Sequence, residues 1–431
     1  MRGPSTHRTR CAEGRKRQGC PCWLPPSAFR LPLFAVSLLL LIAAGCRSEG
    51  EKKTISPNSL SVTPAARLSY SFAADVEAPP GAVPQEETKL KPIQDDFDTR
   101  RKDDRLLRTV VSPDGQRALA LYDTGETQEG EFRIDMYSAD GRFLRNLTPP
   151  ELSGAFAPMV AWSADGTQIA FIGRKSLAQE TPPDMLPDTA PEPLPSPPSP
   201  LGGVQVFDTE QIYVCDRDGF GLKPLTTRNG LIYFYLAWAP DGHALAALAC
   251  REDEWDARAR ESRQPAGRPR LVETDGGERL LDDRLMDAGP VWSPDSSKVA
   301  SGFEAEVRIY DAATLETPTQ AVIPLRDALL KASAEYDEKN LKGQKGGSSA
   351  GGAPVSFNPI VRLYWPEDRS LFAQTAYVRL YASEPVVTFQ RWHKLTLSIQ
   401  ATPLSRLDCD WPIPGAASRR ACAIVWPHAN S

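Results

Sequence analysis

No stretch of these 431 residues is long and apolar enough to cross a bilayer as a stable helix. The longest uncharged apolar run, Leu31 to Ala44, holds about fourteen residues against the roughly 20 that a spanning helix needs. Histidine is equally short, with four in the whole chain and only His243, His393 and His428 beyond the first fifty residues. No pair of them has metal-ligand spacing and no Cys-x-x-Cys follows residue 46, so the common zinc arrangements are excluded and no metal or other cofactor is expected. An excess of positive charge is missing too: net charge is −5, and no basic stripe interleaved with aromatics occurs, which excludes a nucleic-acid surface.

The apolar run has a different use. It follows a leader rich in Arg2, Arg8, Arg10, Arg15, Lys16, Arg17 and Arg30 and ends in Ile42-Ala43-Ala44-Gly45-Cys46. Positive, then apolar, then small is the order of an export signal. Small residues directly before a cysteine resemble a lipobox, at which bacterial lipoproteins are acylated on the thiol and cleaved before it. Cys46 is therefore the expected lipidation site and residues 1–45 the expected signal peptide. The leader carries seven basic residues and one acidic, so the chain left after cleavage has a net charge near −11. Arg47, rather than Asp, after the cysteine favours the outer membrane over retention at the inner one, by analogy with enterobacterial sorting. Of the remaining cysteines, Cys215 and Cys250 sit in apolar strand-like runs and read as small buried hydrophobes, whereas Cys409 and Cys422 are candidates for a disulfide around Trp411 to Gly415. Four cysteines allow three connectivities, and spacing does not choose among them.

One pattern recurs: an apolar or Trp residue, Ser-Pro-Asp-Gly or a variant, then a short apolar run. Its copies are Val111 to Gly115, Trp162 to Gly166, Trp238 to Gly242, Trp292 to Ser296 and a degraded Trp365 to Arg369, with turn aspartates Asp114, Asp165, Asp241, Asp295 and Asp368. Pro sets φ for a first turn position, and Asp and Gly close a tight hairpin. Between the copies lie strand-like runs ending in a second turn, such as Ile134 to Tyr137 before Asp140-Gly141 and Ile212 to Cys215 before Asp218-Gly219. The motif aspartates are 51, 76, 54 and 73 residues apart. Subtracting a Pro-rich insertion, Glu180 to Gly203, and an amphipathic helix with a Gly/Ser linker, 325–352, brings each interval near the period of propeller repeats.

These units resemble the WD40-like PD40 repeats of TolB and related periplasmic propellers over about residues 105 to 400. The resemblance implies an all-β fold, a β-propeller of four-stranded antiparallel blades. TolB itself carries an α/β domain ahead of its propeller, and here only about sixty residues separate Cys46 from the first copy, so the resemblance is to the repeat family alone. Five copies are visible. A sixth blade is the preferred reading, assembled from Leu68 to Phe72 and Cys422 to Trp426, with five blades as the alternative. The expected division is a signal peptide (1–45), a tether with a possible ring-closing strand (46–104) and a propeller (105–431) with insertions at about 180–203, 251–267 and 325–352.

No catalytic residue is expected. Gly347-Ser348-Ser349-Ala350-Gly351 matches the G-x-S-x-G of serine hydrolases but lies in a Gly/Ser linker with no apolar strand before it. Asp216-Arg217-Asp218-Gly219 begins like a calcium loop yet lacks the glutamate at its twelfth position, so a β-turn accounts for it. Trp162, Trp238 and Trp292 read as packing between blades. Residues 251–263 read as an exposed charged loop or short helix. The resulting expectation is a monomeric, membrane-anchored envelope protein that binds a protein or peptide. The alternatives are a propeller that gates a peptidase and a sensor of glycans or small ligands.

Overall fold

In the computed structural model the described residues are 59–82, 89–125, 130–175, 207–313, 319–341, 358–381 and 384–399. All lie in one compact unit, Ile55–Ser431. In chain order they begin with β1 (Leu68–Val76) and α1 (Lys91–Arg100). A first unit follows: β2 (Arg105–Val111), β3 (Arg117–Asp123), β4 (Glu131–Ser138) and β5 (Phe143–Asn146). The second has a first strand broken into β6 (Leu152–Ala155) and β7 (Ala161–Trp162), then β8 (Gln168–Lys175), β9 (Gln211–Asp216) and β10 (Lys223–Pro224). The third is β11 (Leu231–Trp238), β12 (Ala244–Arg251), the helix α2 (Glu252–Arg260), β13 (Arg268–Glu273) and β14 (Glu278–Leu280). The fourth is β15 (Ala288–Trp292), β16 (Lys298–Phe303), β17 (Glu306–Asp311) and β18 (Gln320–Pro324). After α3 (Arg326–Leu341) come β19 (Ile360–Glu367), β20 (Ser370–Tyr381) and β21 (Glu384–Ile399).

Each unit is an antiparallel meander whose first hairpin is closed by the repeated motif. Within the turns, Ser112, Ser163 and Ser293 each donate a hydroxyl to the aspartate two residues on at 2.6 Å, and each aspartate accepts a backbone N–H two residues further, which closes the hairpin without help from the rest of the fold. The left-handed position falls on Gly115, Gly166 and Gly242, and on Ser296 (φ 60) in the fourth unit. After the turns, runs such as Ala118 to Leu121, Ile169 to Ile172 and Leu245 to Cys250 are buried on both faces, because a sheet lies on either side. One apolar cluster fills each seam. Leu119, Ile134 and Phe171 belong to that of units one and two, Tyr233, Leu245 and Ile172 to the next, and Val307, Leu363 and Leu395 to that of units four and five.

The tryptophans index these seams. The Trp162 indole N–H donates to the Val110 carbonyl at 3.2 Å, Trp238 to Ala161 at 3.2 Å and Trp292 to Ala237 at 3.0 Å. In each case the acceptor is the residue before the motif position of the preceding unit, so three seams share one registered link. Trp365 departs from the pattern and donates to Asp368 in its own turn.

This succession of four-stranded antiparallel sheets, packed face to face with first strands side by side, is a β-propeller architecture. Two features depart from expectation. Leu68–Val76 is the fourth strand of the fifth sheet, in the order β1-β21-β20-β19, and not part of a sixth unit. Strand β21 has an apolar, edge-exposed ladder that β1 completes, which uses the strand up. The other strand expected there, Cys422 to Trp426, lies outside the described residues. Among those residues the strands form three four-stranded sheets and one nine-stranded sheet, in which units one and two are joined by the pairing of β4 with β6. Second, the described residues before 105, 59–82 and 89–104, pack on the sheets. The backbone N–H of Ala65 donates to both oxygens of Asp311, whose carboxylate pairs with Lys298 at 2.7 Å in a nearly dry site. Helix α1 lays Ile93 and Phe97 on Ala118, Ala120 and Tyr122, and Arg101 stacks between the Phe97 and Tyr122 rings while pairing with buried Asp135 at 2.6 Å.

Candidate functional site

The motif turns of neighbouring units touch: Pro113 packs near Gly166, the Asp165 carboxylate lies by Gly242, and the Asp241 N–H donates to the Ser296 hydroxyl at 3.1 Å. All these turns therefore occupy one face of the stack. Antiparallel order then sends every connection from second to third strand, and from one unit to the next, to the opposite face. Each insertion expected from the sequence departs from a sheet there, after Lys175, after Arg251 and after Leu325, and so does the β20–β21 hairpin. This insertion face is the first candidate site.

Helix α2 is its best-defined part. Its Glu254 side chain caps the Arg251 N–H and takes two bonds from Arg268, at 2.7 and 2.9 Å. The Arg268 bonds are the main reason that the Glu254 carboxyl is held down to about 2. Thus fixed, α2 places Trp255 edge-on to Phe156 (5.7 Å between centroids) and beside Phe234 (5.6 Å). Phe156, with φ of 57, stands where the first strand of unit two breaks, and Phe234 stands at the bulge of β11. Both belong to first strands, so the helix covers the wall where those strands meet, with Arg108 of β2 alongside, bonded to the Ala157 carbonyl. The β20–β21 hairpin adds apolar surface, since Tyr377, Val386 and Val387 are exposed and Phe389 is 75% exposed. These aromatics were not singled out in the sequence, because their neighbours across the seams are far away in the chain.

The residues named from the sequence divide as follows. Asp114, Asp165 and Asp295 hold their own turns as described, Asp241 accepts only the His243 N–H at 3.0 Å, and Asp368 contributes its carbonyl to Trp365. Cys215 and Cys250 are free and buried, and burial pushes both thiols up to about 12. His243 is exposed beside a turn, whereas His393 is 1% exposed between Thr375 and the Asp75 backbone and stacks on Phe72 at 5.4 Å. Asp216 to Gly219 form a turn in which Asp216 accepts the Asp218 and Phe220 N–H groups. Residues 252–260 of the charged stretch are helical, and so are 326–341. Cys46, Cys409, Cys422, His428, Glu180 to Gly203 and Gly347 to Gly351 lie outside the described residues. Among the described residues no three His, Cys, Asp or Glu side chains are grouped to hold a metal, and no helix is long and apolar enough to cross a membrane.

No protein-family model matches the chain, and no curated protein does. Among solved structures it is similar to a putative TolB from Agrobacterium tumefaciens (14% identity, TM-score 0.29, covering 69% of this chain and 76% of that one). It is also similar to a chain of a nidogen/laminin complex (11%, 0.31, covering 68% and 85%) and to prolyl oligopeptidase B from Galerina marginata (10%, 0.38, covering 68% and 36%). The chain spans about a third of that peptidase's length.

Proposed function

We propose that this chain is a lipid-anchored, TolB-like scaffold of the bacterial cell envelope, which holds a protein or peptide partner on its insertion face and performs no chemistry itself. The observation that carries the reading is the gathering of the insertions, the Trp255 helix and the projecting apolar hairpin on one side of the sheets. The entry point of the chain supports it. Residues 59–67 reach the sheets at the motif-turn face, beside Asp311 and the Leu68↔Ile399 end of the ladder. A tether from Cys46 to Ser59 spans at most about 45 Å, so anchorage at Cys46 keeps the motif-turn face within that reach of the lipid. The outer membrane is the favoured location, on Arg47, and the unit acts as a monomer.

Photo-crosslinking amino acids placed singly at Trp255 and Phe389, and for comparison at Gln116 and Asp140 on the turn face, test this in living cells. Adducts confined to the insertion-face positions are expected. Adducts only from the turn face would overturn the assignment.

A further inference from the structure

Register across the repeats makes the seams directly comparable: that of units one and two carries two ion pairs, that of units two and three has Gln168 and Thr274 in place of the arginines, and that of units three and four has alanine at both positions. Arg217, Thr274 and Ala312 hold the same place in units two, three and four, since their N–H groups donate to the carbonyls of Thr167, His243 and Ser297. Counting five residues from the motif serine position likewise aligns Arg117, Gln168, Ala244 and Lys298. In the seam of units one and two, Arg217 pairs with Asp114 at 2.7 Å and Arg117 pairs with Asp218. In the seam of units three and four those positions are alanine: Ala244 replaces Arg117, Ala312 replaces Arg217 and Ala313 replaces Asp218. What remains is a cavity of about 360 Å³ lined by these three alanines, by Trp292 and by Asp241, the counterpart of Asp114.

Asp241 has lost more than its arginine. Ala239 stands where three of the other turns have serine, so the Asp241 carboxylate lacks the hydroxyl bond as well and keeps only the His243 N–H among the described residues. Among the described residues no cation pairs with it. We infer that this cavity is a binding site for a guanidinium group, supplied by an arginine side chain of a partner protein that restores in trans the ion pair Arg217–Asp114 makes within the chain. Guanidinium is favoured over ammonium because the pair found in register elsewhere in the chain, Arg217 with Asp114, is itself a guanidinium–carboxylate pair. The site lies on the motif-turn face and stands independently of the insertion-face reading.

Calorimetric titration of the full chain at low salt is the test, with N-acetyl-arginine amide, N-acetyl-lysine amide and the blocked peptide Gly-Gly-Arg-Gly-Gly as probes. Saturable one-to-one binding of the arginine amide is expected, about tenfold weaker for lysine. Asp241→Asn, nearly isosteric, weakens it by about tenfold or more, Ala312→Arg abolishes it by filling the site from within, and Asp114→Asn leaves it unchanged. Tighter binding of the peptide than of the amide assigns the guanidinium to a protein partner, and equal affinity overturns that part in favour of a free small molecule. Absence of saturation, or binding indifferent to both Asp241→Asn and Ala312→Arg, overturns the site. Circular dichroism of Asp241→Asn keeps the result interpretable even if Ala312→Arg fails to fold.

Discussion

Replacing the motif tryptophans by phenylalanine separates the indole hydrogen bond from the packing of the ring. Trp162, Trp238 and Trp292 each bond a backbone carbonyl of the preceding unit at 3.0 to 3.2 Å, in seams where the ring is buried or half-buried. Phenylalanine keeps most of the apolar contact but strands that carbonyl, at about 1–2 kcal/mol. It also removes part of the ring volume, at about 1 kcal/mol more, so each change is expected to cost about 2–3 kcal/mol. Alanine, which empties the site, costs about 3–5 kcal/mol. Trp365→Phe breaks a bond whose acceptor, Asp368, is exposed, and water replaces the donor there, so only the ring-volume loss of about 1 kcal/mol is expected. Guanidinium-chloride unfolding followed by circular dichroism reads these differences as shifts in midpoint at constant slope. If Trp365→Phe costs as much as the other three, the link between units is not what stabilises the seams, and the argument from register fails.

His393 gives a prediction with a definite sign. Burial, with Arg391 adding to it and Asp75 opposing it, pulls the imidazole down to about 4, below its unfolded value near 6.5, so the unfolded chain takes up the proton first. Its contribution is complete above pH 6.5 and is lost as pH falls from there through 4, on the order of 3 kcal/mol in all. His393→Gln should flatten unfolding midpoints across that window, and an unchanged slope would exclude the histidine as its cause. Cys46→Ser should abolish incorporation of labelled fatty acid, and persistent labelling would contradict the lipobox. Replacing Glu180 to Gly203 by a short Gly-Ser connector should leave the melting temperature within about 4 °C, because loop-closure entropy changes slowly with length. A larger loss would mean that the segment is structural.

Local signals carried most of the fold. Ser-Pro-Asp-Gly turns close on themselves within six residues, so four of the five hairpins could be read directly, and α3 was legible from its amphipathic run. The fate of Leu68 to Val76 was not, because its alternation declares a strand without naming a partner, and Leu395 and Leu397 lie some 320 residues later. Helix α1 was missed because its mean polarity is high and only Ile93 and Phe97 face the sheet. The candidate sites were less legible still. Trp255 sits in a charged stretch whose default is solvation, and Asp241 looks like every other motif aspartate until residues 239, 244 and 312 are compared with their counterparts in register.

The pairing of β1 with β21 also dictates an order of events during biogenesis. A chain synthesised from its N-terminus delivers β1 well before β21, the strand that completes its ladder. Units one to four can each form from neighbouring segments as they emerge, yet the fifth sheet consists of β1 alone until β19, β20 and β21 have followed. Through that interval β1 is an unpaired edge, the kind of surface that invites pairing with other chains, and the pairing that ends it has a high contact order and is correspondingly slow. The alternating serines of β1, Ser69 and Ser71, keep one of its faces polar while it waits.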